Sequence, residues 1–158
     1  MSRVFIGIGS NEGDRLEGLS RAIQALHAIQ GVRVVQMATI IETAPIGGPP
    51  QGPYLNTVVE VDTTLQPLVL LRTLQGIEQQ LGSTPSTQRW GPRVIDMHLL
   101  LYDDQVIDEP SLRLPHPRLH ERAFVREPLT QLAPELIHPV LGEPIAVLRD
   151  RLTAATSP

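Results

Sequence analysis

From Arg3 to Gly9, Val4, Ile6 and Ile8 alternate with Phe5 and two glycines, which predicts a mostly buried first strand. Ser10, Asn11 and Asp14 then carry helix-start chemistry, and Leu16, Leu19, Ile23 and Leu26 recur at spacings of three and four, predicting a helix that Gly31 stops. Val32 to Thr43 is rich in β-branched residues and charged only at Arg33 and Glu42, so one long second strand is expected there. Gly47 to Pro53 holds three prolines and three glycines in seven residues, which makes it an exposed loop. From Leu55 to Thr63, Val59 and Val61 share one face while Val58, Glu60 and Asp62 share the other, predicting a strand with one wet side. Pro67 fits the first turn of a helix whose apolar face is Leu70, Leu74, Ile77 and Leu81. After a polar loop from Gly82 to Gln88, Val94 to Tyr102 reads as a last apolar strand. Beyond Asp103 the chain is punctuated by prolines, with short helical stretches at 122–131 and 145–152. The order β-α-β-β-α-β predicts an α+β, ferredoxin-like core with a C-terminal extension of short helices and loops, one domain over residues 1–158.

Composition narrows the chemistry more than the fold. The chain has 158 residues, 41% of them hydrophobic, with a net charge of −4 and no cysteine. All 13 basic residues are arginine. Disulfides, thiolate metal sites, thiol nucleophiles, Schiff-base lysines and a Walker-A lysine are therefore excluded. Any phosphate chemistry must run on arginine, backbone amides and metal. The acidic balance argues against nucleic acid as a partner. The N-terminal apolar stretch is too short for a signal sequence and no run is long enough for a membrane span, so no membrane partner and a cytoplasmic location are expected.

The sharpest local signal is Arg89-Trp90-Gly91-Pro92-Arg93-Val94-Ile95-Asp96-Met97-His98. On a strand, Asp96 and His98 project from one face, while Ile95, Met97, Leu99 and Leu101 project from the other. An apolar strand that places a carboxylate and an imidazole on one face needs partners for them. A metal ion is one such partner; an arginine beside Asp96 and a satisfied histidine are the alternative. Arg89 and Arg93 suit phosphate oxygens, and the indole of Trp90 suits a heteroaromatic ring. A second cluster, from Leu114 to Phe124, holds His116 between Pro115 and Pro117, with His120 and Arg122 after them and no HExxH motif to support a zinc hydrolase. Asn56 carries both a donor and an acceptor for the edge of a heterocycle. Gly7-Ile8-Gly9-Ser10-Asn11-Glu12-Gly13 misplaces the third glycine of a dinucleotide-binding turn.

Taken in order, Gly9-Ser10-Asn11, Tyr54-Leu55-Asn56, Arg89-Trp90-Gly91-Pro92-Arg93 leading to Asp96, and Pro115-His116 with Arg122 and Phe124 resemble the 6-hydroxymethyl-7,8-dihydropterin pyrophosphokinase family, over roughly residues 3 to 145. The resemblance implies a ferredoxin-like fold and an ATP-dependent enzyme of folate biosynthesis that transfers pyrophosphate to the pterin hydroxymethyl and releases AMP. It implies a pterin pocket of Thr43, Ala44, Ile46, Tyr54, Asn56, Trp90 and Phe124, with Tyr54 and Phe124 sandwiching the ring. ATP would be held by Gln75, Glu78, Arg89, Trp90, Arg93, His116 and Arg122. Arg93, Asp96 and Arg122 would be catalytic, and Asp96 and His98 would bind metal. Two divalent cations are implied, and the chain is expected to act as a monomer.

Two departures stand out against that pattern. The family places Asp-x-Asp where this chain has Asp96-Met97-His98. Magnesium prefers oxygen, whereas imidazole is a better ligand for manganese, so manganese becomes an alternative to the expected magnesium. A histidine ligand must also be neutral, so metal binding should weaken in acid. The loop after Gly82 carries Ser83 and Pro85 where the family commonly has arginines, and Ser111 and Pro117 replace familiar polar or aromatic residues. Such losses could cost on the order of 10²-fold in rate. The leading expectation is a pyrophosphokinase, active or weakened. The alternatives are a catalytically impaired pterin-binding paralogue and a metal hydrolase built on Asp96, His98 and His116.

Overall fold

A computed structural model describes residues 1–10, 14–43, 54–82, 95–117 and 123–156. Its elements are β1 (Ser2–Ser10), α1 (Arg15–His27), β2 (Val32–Met37), β3 (Ile41–Thr43), β4 (Tyr54–Thr63), α2 (Pro67–Gln80), β5 (Asp96–Tyr102), β6 (Ile107–Glu109), β7 (Leu112–Leu114), α3 (Ala123–Leu132) and α4 (Ile145–Thr156). The main sheet is antiparallel in the order β2-β4-β1-β5, with β3 also on β4. This is the α+β arrangement expected from the element order.

Alternation on β1 sorts the core into two layers. Val4, Ile6 and Ile8 join Leu19, Leu26, Leu70, Leu74 and Ile77 from α1 and α2. Phe5 faces the opposite way and packs with Val58, Leu100, Leu101, Leu129, Ala133 and Ile145 under the C-terminal segment. Asp14 caps α1 by accepting from the Glu17 N–H at 3.1 Å, and Pro67 opens α2. Leu74 is fully buried. Leu74→Ala should therefore cost about 3 kcal/mol of stability, read as a lower urea midpoint at unchanged slope.

Several expectations are corrected. The single strand expected over 32–43 is broken at residues 38–40, although both pieces lie on the same edge of β4. At the break the Ala38 N–H donates to Val58 O at 2.9 Å. The Thr39 N–H donates to Gln131 Oε1 of α3 at 2.8 Å, so the C-terminal segment takes over backbone bonding there. The wet face expected for β4 is mostly dry, because Val58 and Glu60 are buried, with Glu60 bonded by Arg3 and Gln36. Leu16, assigned to the apolar face of α1, is exposed. The β6–β7 hairpin had no signal strong enough to predict it: each of its strands is three residues long.

Candidate functional site

The polar residues converge on the sheet face opposite α1 and α2, at the C-terminal end of β1. Gly9 is paired with Asn56 on β4 and with Asp96 on β5. Directly opposed residues in adjacent strands point to the same face, so Asn56 and Asp96 flank Gly9, about 10 Å apart across two strand spacings. Gly7 is likewise paired with His98. A Cβ on Gly9 would lie 2.7 Å from Asn56 Oδ1 and 3.5 Å from Tyr54 Cδ1. Gly9 thus forms a floor without a side chain, with Tyr54 and Asn56 on one side and Asp96 on the other, whereas the space over Gly7 is taken by Leu100, whose Cδ1 would lie 3.5 Å from an added Cβ.

Asp96 Oδ2 and His98 Nε2 are 2.8 Å apart. Their side chains retain 27% and 47% of their exposure, so burial does not force a partner on this pair, contrary to the sequence argument. Such an exposed pair contributes little to stability. His116 meets the His98 ring edge to face, with centroids 5.6 Å apart, and its backbone N–H donates to Leu100 O at 2.8 Å. A cavity of about 310 Å³ opens along the free edge of β5, lined by residues including Leu71, Leu99, Ser111, Leu112, Arg113 and His116. Sequence reasoning missed Leu71, Leu112 and Arg113, which are brought here by α2 and the hairpin. The signal it could have used for that floor was Gly9 in a strand otherwise filled largely by apolar side chains.

Gln75 and Glu78 lie on α2, which packs against the other face of the sheet. Gln75 is exposed, one turn beyond Leu71. Glu78 is buried, and its Oε2 accepts the Met97 N–H at 3.0 Å. The Thr43 backbone pairs with Tyr54. Ala44, Ile46, Arg89, Trp90, Arg93 and Arg122 lie outside the described residues, as does the side chain of Phe124. Among the described residues no three of His, Asp and Glu are placed to share an ion, which removes the hydrolase built on Asp96, His98 and His116. No helix is long and apolar enough to cross a membrane among them.

A family model described as 7,8-dihydro-6-hydroxymethylpterin-pyrophosphokinase matches residues 5–134. The chain is 42% identical over 137 residues to the 2-amino-4-hydroxy-6-hydroxymethyldihydropteridine pyrophosphokinase of Methylorubrum extorquens, covering 87% of this chain and 86% of that protein. It is 38% identical over 148 residues to the folic acid synthesis protein fol1 of Schizosaccharomyces pombe, covering 94% of this chain but only 20% of that one. In structure it resembles the Plasmodium falciparum HPPK-DHPS wild type with pteroate, with a TM-score of 0.77 at 14% identity over 97% of this chain and 42% of that chain. The chain therefore spans a fifth of the length of the first of these eukaryotic proteins and under half of the second.

Proposed function

The chain belongs to the 7,8-dihydro-6-hydroxymethylpterin-pyrophosphokinase family, and from that premise we infer that it transfers pyrophosphate from ATP to 6-hydroxymethyl-7,8-dihydropterin, releasing AMP, in folate biosynthesis. The observation that carries the site assignment is the row Asn56–Gly9–Asp96, which sets a heterocycle-reading amide and a cation-holding carboxylate on one face across a bare glycine. In this reading Asn56 reads the edge of the pterin and Tyr54 covers its ring, with Thr43, Ala44, Ile46, Trp90 and Phe124 completing the pocket.

The cavity beside β5 supports a place for the nucleotide, its base toward Leu71, Leu99 and Leu112 and its phosphates toward Asp96. His116 lines that cavity, Gln75 is assigned to the nucleotide with it, and Arg89, Arg93 and Arg122 are the cations assigned to the phosphates. The pterin hydroxymethyl oxygen attacks the β-phosphorus in line. The bond from that phosphorus to the oxygen bridging to the α-phosphorus breaks, AMP leaves with the electron pair, and the hydroxyl proton passes to water. Such a transfer depends on positioning and charge neutralisation, which Arg93 and Arg122 provide.

Asp96 and His98 suit a divalent cation, because a carboxylate oxygen and an imidazole nitrogen 2.8 Å apart can both reach one ion. A bound cation would neutralise phosphate charge. We propose two such ions, with manganese accepted as well as magnesium because of the nitrogen donor, and a monomeric cytoplasmic enzyme. No observation in the described residues favours a protein that only binds pterin.

The test is AMP release dependent on the pterin, assayed with each metal. His98→Asp is expected to raise the magnesium rate by about 10-fold and to shrink any advantage of manganese, since it restores an oxygen donor and a negative charge. Absence of AMP above background with both metals in the unmodified chain would overturn the reading.

A further inference from the structure

The buried carboxylate of Glu78 has a consequence for the opposite face of the sheet. Among the described strands β5 pairs with β1 alone, and Leu100 O on β5 also accepts the His116 N–H. In an antiparallel pair, alternate residues turn their N–H and C=O toward the partner or away from it. The Met97 N–H donates to Glu78 Oε2 at 3.0 Å, so it is turned away from β1. Asp96 and His98, its two neighbours, are therefore the residues whose backbones turn toward β1, opposite Gly9 and Gly7. Met97 is the residue between the two groups assigned to the metal, and its N–H is not available to β1. Glu78 supplies that N–H with an acceptor from α2, and the residue is only 9% exposed. A charged acceptor makes this stronger than a neutral hydrogen bond.

We propose that Glu78 is a positioning residue that acts through Met97. By pinning the outer edge of β5, it fixes the spacing and direction of Asp96 and His98 on the strand's other flank. This deepens the function proposed above, and rests on it for the metal role. It departs from a role for Glu78 as a direct ATP ligand. Outer partners of metal ligands commonly set metal affinity by 10- to 100-fold without touching the ion.

The experiment compares Glu78→Gln and Glu78→Ala with the unmodified chain by three readouts: hydrogen exchange of the Met97 amide, manganese binding followed by electron paramagnetic resonance, and binding of a non-hydrolysable ATP analogue without metal. Gln keeps an acceptor for the Met97 N–H, and Ala removes it. The expected result is that Ala speeds Met97 exchange and weakens manganese binding, each by about 10-fold, while Gln stays within about twofold of the unmodified chain on both. Metal-free binding of the analogue should be unchanged in both variants. The proposal is overturned if Gln loses analogue affinity while Met97 stays protected, since Glu78 then contacts the nucleotide. It is equally overturned if Ala leaves Met97 protection and manganese affinity untouched. Should Ala fail to fold, Gln alone decides between positioning and contact. The amide measurement needs no turnover, so failure of the pyrophosphokinase reading would appear separately, as missing AMP release with Met97 still protected.

Discussion

Asp96→Asn is expected to lower AMP formation by about 10³-fold or more, while pterin binding measured by calorimetry stays within about twofold. The asymmetry follows from position. Asp96 stands on β5, on the far side of Gly9 from Asn56 and Tyr54, so the side proposed to read the pterin should keep its geometry when the carboxylate becomes an amide. The substitution is nearly isosteric and the side chain is partly exposed, so the fold should survive with an unchanged urea midpoint. What disappears is the negative charge with which, in the proposed site, Asp96 would hold a cation beside His98, and the imidazole alone is a poor ligand for magnesium. Rates within tenfold of the unmodified chain would show that charge neutralisation at the phosphates does not depend on this carboxylate. A matching loss of pterin affinity would instead mean that the two walls of the site are not independent.

Gly9→Ala is expected to weaken pterin binding by about 10²-fold with little change in stability. The added Cβ would come within 2.7 Å of Asn56 Oδ1, so one of the two must move. The atom encountered is the tip of a side chain rather than backbone, so Asn56 can rotate away and the strand pairing can persist. The displaced amide would then no longer present its donor and acceptor to the heterocycle, and the new methyl would occupy the floor between the walls. Binding and stability should therefore separate, with a large rise in the pterin dissociation constant beside a small shift in melting temperature. If melting falls while affinity holds, Gly9 serves strand packing instead. Asn56→Ala in the Gly9→Ala background distinguishes these outcomes further: if the methyl acts through Asn56, the double variant should lose little more affinity than either single one.

The elements that were legible in the sequence are those whose partners are set by local periodicity. Val4, Ile6 and Ile8 had to share a face because strand side chains alternate, and Leu70, Leu74 and Ile77 had to share one because helical side chains recur every three to four residues. The placement of Asp96 with His98 followed from the same rule. The absence of cysteine and lysine limited the chemistry without any reference to fold. The ordered motifs carried the family.

The relations between strands were decided only by the tertiary structure. Nothing near Gly9 in sequence says that Asn56 and Asp96, 47 and 87 positions further on, will stand on either side of it; the register of β1 with β4 and β5 places them there. The dry face of β4 depended on α3 arriving from the far end of the chain, and the break in the expected long strand depended on Gln131 reaching Thr39. Glu78 entered through the family resemblance as an ATP residue, and only packing set its carboxylate against the Met97 N–H. Periodicity fixes which way a side chain faces within its own element. Which groups then meet across elements is fixed by register and packing, where long-range burial and hydrogen bonding outweigh local preference.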